Sequence, residues 1–275
     1  MPSTVPAPKD HSGRTSTKAV TTETYFWYTA TDGTQQIVTT SDGTRPEQHN
    51  CYTFNKSRFA HDPYPTSFPS GSVWPPRVTE DLLCALGEEC FDCVGNHHFT
   101  RYRCYDPHCS HTLAKWQLST DGWEHGIEIR KTADRGYGAY TRRAFKAGTI
   151  LGWYCGEIKH LYSTDPADYF MQIELGAILP ADEAHPGLEH AVIVDAADRG
   201  NWTRFINHSC SSYTQYRVKR VGNVRIMAIE VVRDIPKGAE ITVNYGPEYY
   251  SAKSEKVCMC GAGNCVSNRR RKNRY

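Results

Sequence analysis

What most limits the fold of this chain is the way its apolar runs are cut short. Gln35-Gln36-Ile37-Val38-Thr39-Thr40 lies between Asp32-Gly33 and Asp42-Gly43, and Ile127-Glu128-Ile129 alternates behind Gly126. Asp168-Tyr169-Phe170-Met171-Gln172-Ile173 and Val192-Ile193-Val194-Asp195-Ala196 are equally brief. With 21 Gly and 15 Pro as punctuation and little helical periodicity, the pattern predicts a mainly β fold of several small sheets. A chain of 275 residues has room for one sizeable domain with an appendage, or for two small ones. Residues 1–24, rich in Ser, Thr, Pro and Lys, read as a disordered tail. The aromatic run from Tyr25 reads as the first strand. Pro63, Pro65, Pro69, Pro75 and Pro76, set among aromatics, predict an extended, irregular segment packed on a neighbour.

Composition removes some functions. No stretch approaches the roughly 20 apolar residues of a membrane span, and the first residues lack the apolar core of a signal peptide. The expectation is an intracellular chain with reduced thiols, in which eleven cysteines point to metal rather than to disulfides. A net charge of +2 does not make the whole molecule an electrostatic nucleic-acid binder. The run Arg269-Arg270-Arg271-Lys272-Asn273-Arg274 reads either as a solvated tail or as a signal for nuclear import or nucleic acid.

The cysteines fall into two groups. Cys258-Met259-Cys260 followed by Cys265 is a C-x-C-x4-C, which supplies three thiolates, one short of tetrahedral zinc. Upstream, Cys84, Cys90, Cys93, Cys104 and Cys109 form a looser block over residues 84–111, with a C-x-x-C at Cys90 and Cys93. That block suits one zinc site, or two sharing ligands, with His97, His98, His108 or His111 as stand-ins. Buried free thiols are the other reading.

Two further segments stand some thirty residues apart: Arg204-Phe205-Ile206-Asn207-His208-Ser209-Cys210 and Glu240-Ile241-Thr242-Val243-Asn244-Tyr245-Gly246. Ahead of them, in order, come Arg135-Gly136-Tyr137-Gly138 and Tyr154-Cys155-Gly156-Glu157. The set resembles the signature of SET-domain protein-lysine methyltransferases, over roughly residues 80–268 and densely from 126 onward. The resemblance implies the SET fold, several small sheets with a pseudoknot in which the two segments thread past each other, flanked by zinc-binding cysteine-rich segments. It implies S-adenosylmethionine as cofactor, bound by Arg204, Asn207, His208, Tyr245 and the backbone of Arg135, Gly136, Tyr137 and Gly138. Tyr245 and Tyr154 frame the substrate lysine. Cys210 completes a post-SET zinc site with Cys258, Cys260 and Cys265. The block around Cys84–Cys109 is similar to a reduced pre-SET unit.

The implied organisation is a tail over 1–24, an N-terminal region over 25–125, a SET domain over 126–250, and a post-SET motif with basic tail over 251–275. The implied function is methylation of a lysine in a histone H3 tail, in the nucleus on chromatin, with the basic tail as a possible contact to nucleosomes and no membrane role. The alternatives are a catalytically silent chromatin-binding module and a methyltransferase of a non-histone protein. Val243 departs from the family, where Phe or Tyr is common and influences how many methyl groups are added. A smaller residue leaves room and favours multiple methylation, unless the Tyr216 hydroxyl fills that space.

Overall fold

The computed structural model describes residues 25–59, 64, 68, 70–84, 92–161, 167–176, 191–247, 249–250 and 256–268. The tail 1–24, Cys90 and the basic run after Asn268 lie outside the described residues. In chain order, β1 (Trp27–Thr29) pairs antiparallel with β2 (Gln35–Ile37) around a turn in which Asp32 Oδ1 accepts from the Thr34 amide at 3.0 Å. Then come β3 (Glu47–Gln48), β4 (Thr53–Phe54), α1 (Thr79–Leu82) and α2 (Leu113–Thr120). β5 (Ile127–Lys131) and β6 (Tyr137–Thr141) form an antiparallel pair. The rest of the chain supplies β7 (Ile150–Tyr154), β8 (Glu157–His160), β9 (Phe170–Glu174), β10 (Ala191–Asp195) and β11 (Arg199–Gly200). It ends with β12 (Asn207–His208), β13 (Thr214–Val221), β14 (Val224–Val231) and β15 (Thr242–Val243).

The largest sheet has the order β12-β15-β13-β14-β7. Its middle is the β13–β14 hairpin, closed by Gly222-Asn223, where Gly222 takes a left-handed φ of 58° that a two-residue turn favours. β14 is a nearly continuous apolar run, and it takes an inner position with β13 on one side and β7 on the other. At the edge, β12 and β15 pair in parallel, Asn207 with Thr242 and His208 with Val243. The two motif segments are thereby joined side by side, although the whole hairpin lies between them in sequence.

A second sheet, β4-β8-β10-β9, has its all-buried strand β10 inside. β4 joins β8 in parallel, and β3 joins β11 in parallel. Residues 47–54 are therefore strands of the same sheets as residues 157–200, and the expected division at 125 is not a break in the sheets. Two apolar clusters fill the interior. One centres on Trp153, Trp116, Leu82 and Ile226, the other on Phe26, Trp123, Trp202 and Ile241. α2 is a helix that the strand-dominated pattern does not predict. Thr112 caps it by accepting from the Lys115 amide, and Leu113, Trp116 and Thr120, at helical spacing, are its buried face.

Gly156 lets β8 run close under the backbone that leaves β10. A Cβ there would lie 2.1 Å from the Asp195 carbonyl oxygen, and backbone does not yield cheaply. Gly156→Ala is expected to cost about 3 kcal/mol or more, a fall in Tm of roughly 6–12 °C. A thermal melt within about 2 °C of wild type would show that the strands can part there without penalty.

Candidate active site

Three strands each bring a tyrosine to one small cavity of about 190 Å³. Tyr154 closes β7, Tyr216 lies on β13, and Tyr245 follows β15; Tyr169, Ile206 and Met171 complete much of the wall. The Tyr154 hydroxyl donates to the Tyr169 carbonyl at 2.6 Å, and the Tyr245 hydroxyl donates to the Ile206 carbonyl at 2.7 Å. With both protons committed, the two phenol oxygens are left as acceptors. Tyr216 meets Tyr154 edge-on, ring centres 6.0 Å apart. Burial raises all three phenols above their ordinary pKa, so they stay protonated through the physiological range.

A second, larger cavity of about 780 Å³ lies beside the first. Thr39–Ser41, Lys131, Arg135–Tyr137, Asn207 and His208 line it. Tyr245, Tyr249, Tyr169, Arg204 and Asp168 belong to the walls of both cavities, so the narrow pocket and the broad cleft meet at Tyr245. One residue that the motif reading quoted without a role organises the cleft. Glu240 accepts from Asn207 Nδ2 at 2.8 Å through one oxygen and pairs with Arg135 at 3.0 Å through the other. Asn207 Nδ2 also donates to the Tyr137 carbonyl at 3.0 Å. A Cβ at Gly138 would lie 2.7 Å from Glu240 Oε1, so glycine there admits the carboxylate. The signal for Glu240 was its place at the head of the Tyr245 segment; only the fold shows what it touches.

Arg204 donates Nε to the Ala196 carbonyl and Nη2 to the Ala197 carbonyl, both at 2.8 Å, and its guanidinium lies 4.5 Å over the Tyr169 ring. Its Nη1 is buried without a hydrogen-bond partner. Tyr249 donates to Asp168 at 3.1 Å, and Lys256 pairs with the same carboxylate, which closes the far side of the cleft.

Cys210, Cys258, Cys260 and Cys265 bring their sulfurs within 4.8 Å of one another. The Cys210–Cys258 separation is 3.9 Å, against about 3.8 Å expected between two thiolates on one tetrahedral zinc with bonds near 2.3 Å. Four sulfurs at this spacing fit zinc. Backbone amides of Val266 and Cys210 point at the sulfurs of Cys210 and Cys260, at 3.4 and 3.5 Å. His208 links this centre to the cavities. Its Nδ1 accepts from the Tyr245 amide at 3.0 Å, so the ring proton sits on Nε2, which lies 3.2 Å from Cys210 Sγ. Burial, with Arg135 adding to it, holds the His208 pKa below its ordinary value and keeps the ring neutral.

Of the residues singled out in the sequence, Tyr154, Tyr216 and Tyr245 meet in the small cavity, and Arg135, Gly136, Tyr137, Arg204, Asn207 and His208 line the large one. Val243 does not reach either cavity. It is 1% exposed inside the second apolar cluster. Upstream, Cys93 and Cys109 gather with His111 rather than with Cys84, which bridges to Val224. The Cys104 sulfur is outside that trio, and Cys90 is outside the described residues.

Residues 136–246 match the family model described as SET domain. The mouse histone-lysine N-methyltransferase NSD3 is 28% identical over 194 residues, 66% of this chain and 12% of that protein. The human histone-lysine N-methyltransferase, H3 lysine-36 specific, is 25% identical over 200 residues, 69% of this chain and 7% of that protein. The Nicotiana tabacum histone-lysine N-methyltransferase, H3 lysine-9 specific SUVH1, is 29% identical over 158 residues, 54% of this chain and 22% of that protein. This chain thus spans 22% or less of the length of each. Among solved structures, the methyltransferase domain of human histone-lysine N-methyltransferase SETMAR aligns with a TM-score of 0.40 and 23% identity, over 51% of this chain and 56% of that one.

Proposed function

We propose that this chain, whose residues 136–246 are a SET domain, transfers a methyl group from S-adenosylmethionine to a protein lysine, the substrate being a lysine in the tail of histone H3. The observation that carries this reading is the meeting at Tyr245 of a narrow pocket walled by buried phenols and a broad polar cleft. Asn207, His208, Arg204 and the backbone of Arg135–Gly138 hold the cofactor in the cleft. Bound there, it supplies a methyl group on a positively charged sulfur.

The chain's own residues do the rest. The pocket admits a slender side chain and excludes water. The same burial that keeps the phenols neutral disfavours an ammonium, so the lysine enters as the free amine and its proton goes to solvent. The Tyr245 and Tyr154 oxygens, their protons already given to carbonyls, accept from the amine N–H groups and turn its lone pair toward the cleft. Such alignment supplies much of the rate gain in a transfer between two bound partners. A zinc held by Cys210, Cys258, Cys260 and Cys265 fixes His208, and through it Tyr245.

The choice of histone H3 is supported by the names of relatives specific for its lysine 36 and its lysine 9. It carries a nuclear, chromatin-bound location with it, and the basic run Arg269–Arg274 suits contact with nucleosomes. The retained Tyr245, Asn207, His208 and complete four-cysteine set favour an active enzyme over a silent chromatin-binding module. The test is transfer of labelled methyl from S-adenosylmethionine to core histones, to H3 peptides and to unrelated proteins. Label on H3 is expected. No label on any protein overturns the activity, and label on other proteins alone overturns the substrate.

Tyr216 stands in the pocket, and we take its hydroxyl to fill the space beside the amine that a small Val243 leaves. Tyr216→Phe is expected to shift the products on an unmodified peptide toward di- and trimethyl-lysine, read by mass spectrometry. An unchanged product distribution would mean that Tyr216 is only a wall.

A further inference from the structure

We propose that Glu240 is a positioning residue for the cofactor: it holds the Asn207 amide so that only the amide oxygen is offered to the cleft. The assignment rests on the proposed use of that cleft by S-adenosylmethionine. Asn207 Nδ2 has two hydrogens, and both are taken, one by the Tyr137 carbonyl at 3.0 Å and the other by Glu240 Oε1 at 2.8 Å. The reverse rotamer would set Oδ1 against a carbonyl and a carboxylate. The neighbours thus fix the amide, and Oδ1 is the side-chain atom left for a ligand. Asn207 lines the larger cavity, so the group it meets there must bring an N–H or O–H donor, and a carboxylate or bare ring nitrogen is turned away.

Glu240 is placed by backbone pairing. It faces Tyr140 across an antiparallel bridge, where the Thr141 amide donates to the Ala239 carbonyl at 2.9 Å and the Ile241 amide to the Ala139 carbonyl at 2.8 Å. Its side chain then crosses Gly138, where a Cβ would lie 2.7 Å from Oε1 and 3.2 Å from Asn207 Nδ2. A side chain at 138 would therefore part the carboxylate from the amide.

The carboxylate side chain is only 16% exposed, and a charge so enclosed needs a partner. Arg135 supplies one through Nη2, 3.0 Å from Oε2, while its Nε pairs with Asp134 at 3.1 Å. The two oxygens of Glu240 thus have separate tasks, one to hold Arg135 and one to hold Asn207. A neutral amide of the same shape cannot do both, because it offers one acceptor to two donors. The charged guanidinium takes that acceptor, since charge-assisted bonds are the stronger. The new amide N–H is then left facing Asn207 Nδ2, and Asn207 must turn its oxygen away from the cleft.

Titration of the full chain with S-adenosylhomocysteine, the demethylated form of the cofactor, reads this without methyl transfer. Glu240→Gln is expected to raise the Kd about tenfold or more, the effect of one misdirected polar contact. In steady-state assays the loss should fall on the cofactor KM more than on kcat. Asn207→Ala should also raise the Kd. Adding Glu240→Gln to Asn207→Ala should change it by less than about twofold, because what Glu240 positions is already gone. Arg135→Met, which releases the carboxylate without altering it, should weaken binding in the same sense and serves if Glu240→Gln does not fold. Glu240→Gln and Arg135→Met variants that bind as tightly as wild type overturn the assignment, and so does a double variant in which the two losses add. A wild type that does not bind S-adenosylhomocysteine overturns the proposed function itself, and this assignment with it.

Discussion

Tyr245→Phe is expected to lower kcat by on the order of 10²–10³-fold while leaving the fold and cofactor binding in place. The substitution removes one oxygen. That oxygen donates to the Ile206 carbonyl at 2.7 Å and stands where the narrow pocket opens into the cleft. Without it the amine loses an acceptor that aligns its lone pair, and misalignment of this kind is costly in a transfer between two enclosed groups. The cost to stability is smaller, about 1–2 kcal/mol for a buried carbonyl left without its donor, or a few degrees in Tm. Single-turnover rates with saturating cofactor and peptide, set beside a thermal melt and cofactor titration, separate the two effects. A variant that transfers methyl at close to the wild-type rate would remove Tyr245 from the chemistry.

Losing the zinc near the C-terminus should be more damaging, because it is expected to take both binding and activity. Cys258 is buried, and Cys258→Ser leaves three sulfurs for an ion that prefers four. Structural zinc binds with apparent free energies of about 10–16 kcal/mol, so its loss releases the segment it ties down. Cys210 then no longer holds His208, His208 no longer holds the Tyr245 amide, and Tyr249 and Tyr250 leave the cleft wall. We expect Cys258→Ser, or chelation of the wild type, to cut activity below about 1% and to weaken cofactor binding at least tenfold. Activity should return to the chelated protein, and not to the variant, when zinc is added back. Zinc-free protein that still binds cofactor and transfers methyl would break the proposed link. The contrast with Tyr245→Phe is diagnostic, since only the cysteine change should disturb the cofactor.

The parts of this arrangement that were legible in sequence are those written as dense local patterns. The spacing of Cys258, Cys260 and Cys265 announced a metal centre wanting one more ligand, and the short runs read at 127–129, 168–173 and 192–196 overlap β5, β9 and β10, with Asp168, Tyr169 and Ala196 falling outside the strands. What was not legible depends on distant partners. β3 and β4 are two-residue strands with no periodicity to detect, and they exist because β11 and β8 offer them an edge. β13 is rich in charge, Thr214-Gln215-Tyr216-Arg217-Val218-Lys219-Arg220-Val221, and becomes a strand by pairing along its length with apolar β14. His111 was one of four histidines that sequence could not rank, and only the fold brings it to Cys93.

The parallel pairing of β12 with β15 has a consequence for how the molecule comes into being. The cleft is walled by Thr39 near one end of the chain and by Asn207 and Tyr250 near the other, while its zinc ligands run on to Cys265. Nearly everything that makes it a site is a contact between residues far apart in sequence, and such closures are slow because chain entropy is lost before the contacts can compensate. During synthesis the hairpin of β13 and β14 can form as soon as it emerges, but β12 must wait for β15, and the sulfur cluster must wait for Cys265. A ribosome-bound chain halted between Tyr250 and Cys265 carries every tyrosine of the pocket and no working pocket. Competence should therefore appear abruptly rather than by degrees, once Cys265 can join the cluster.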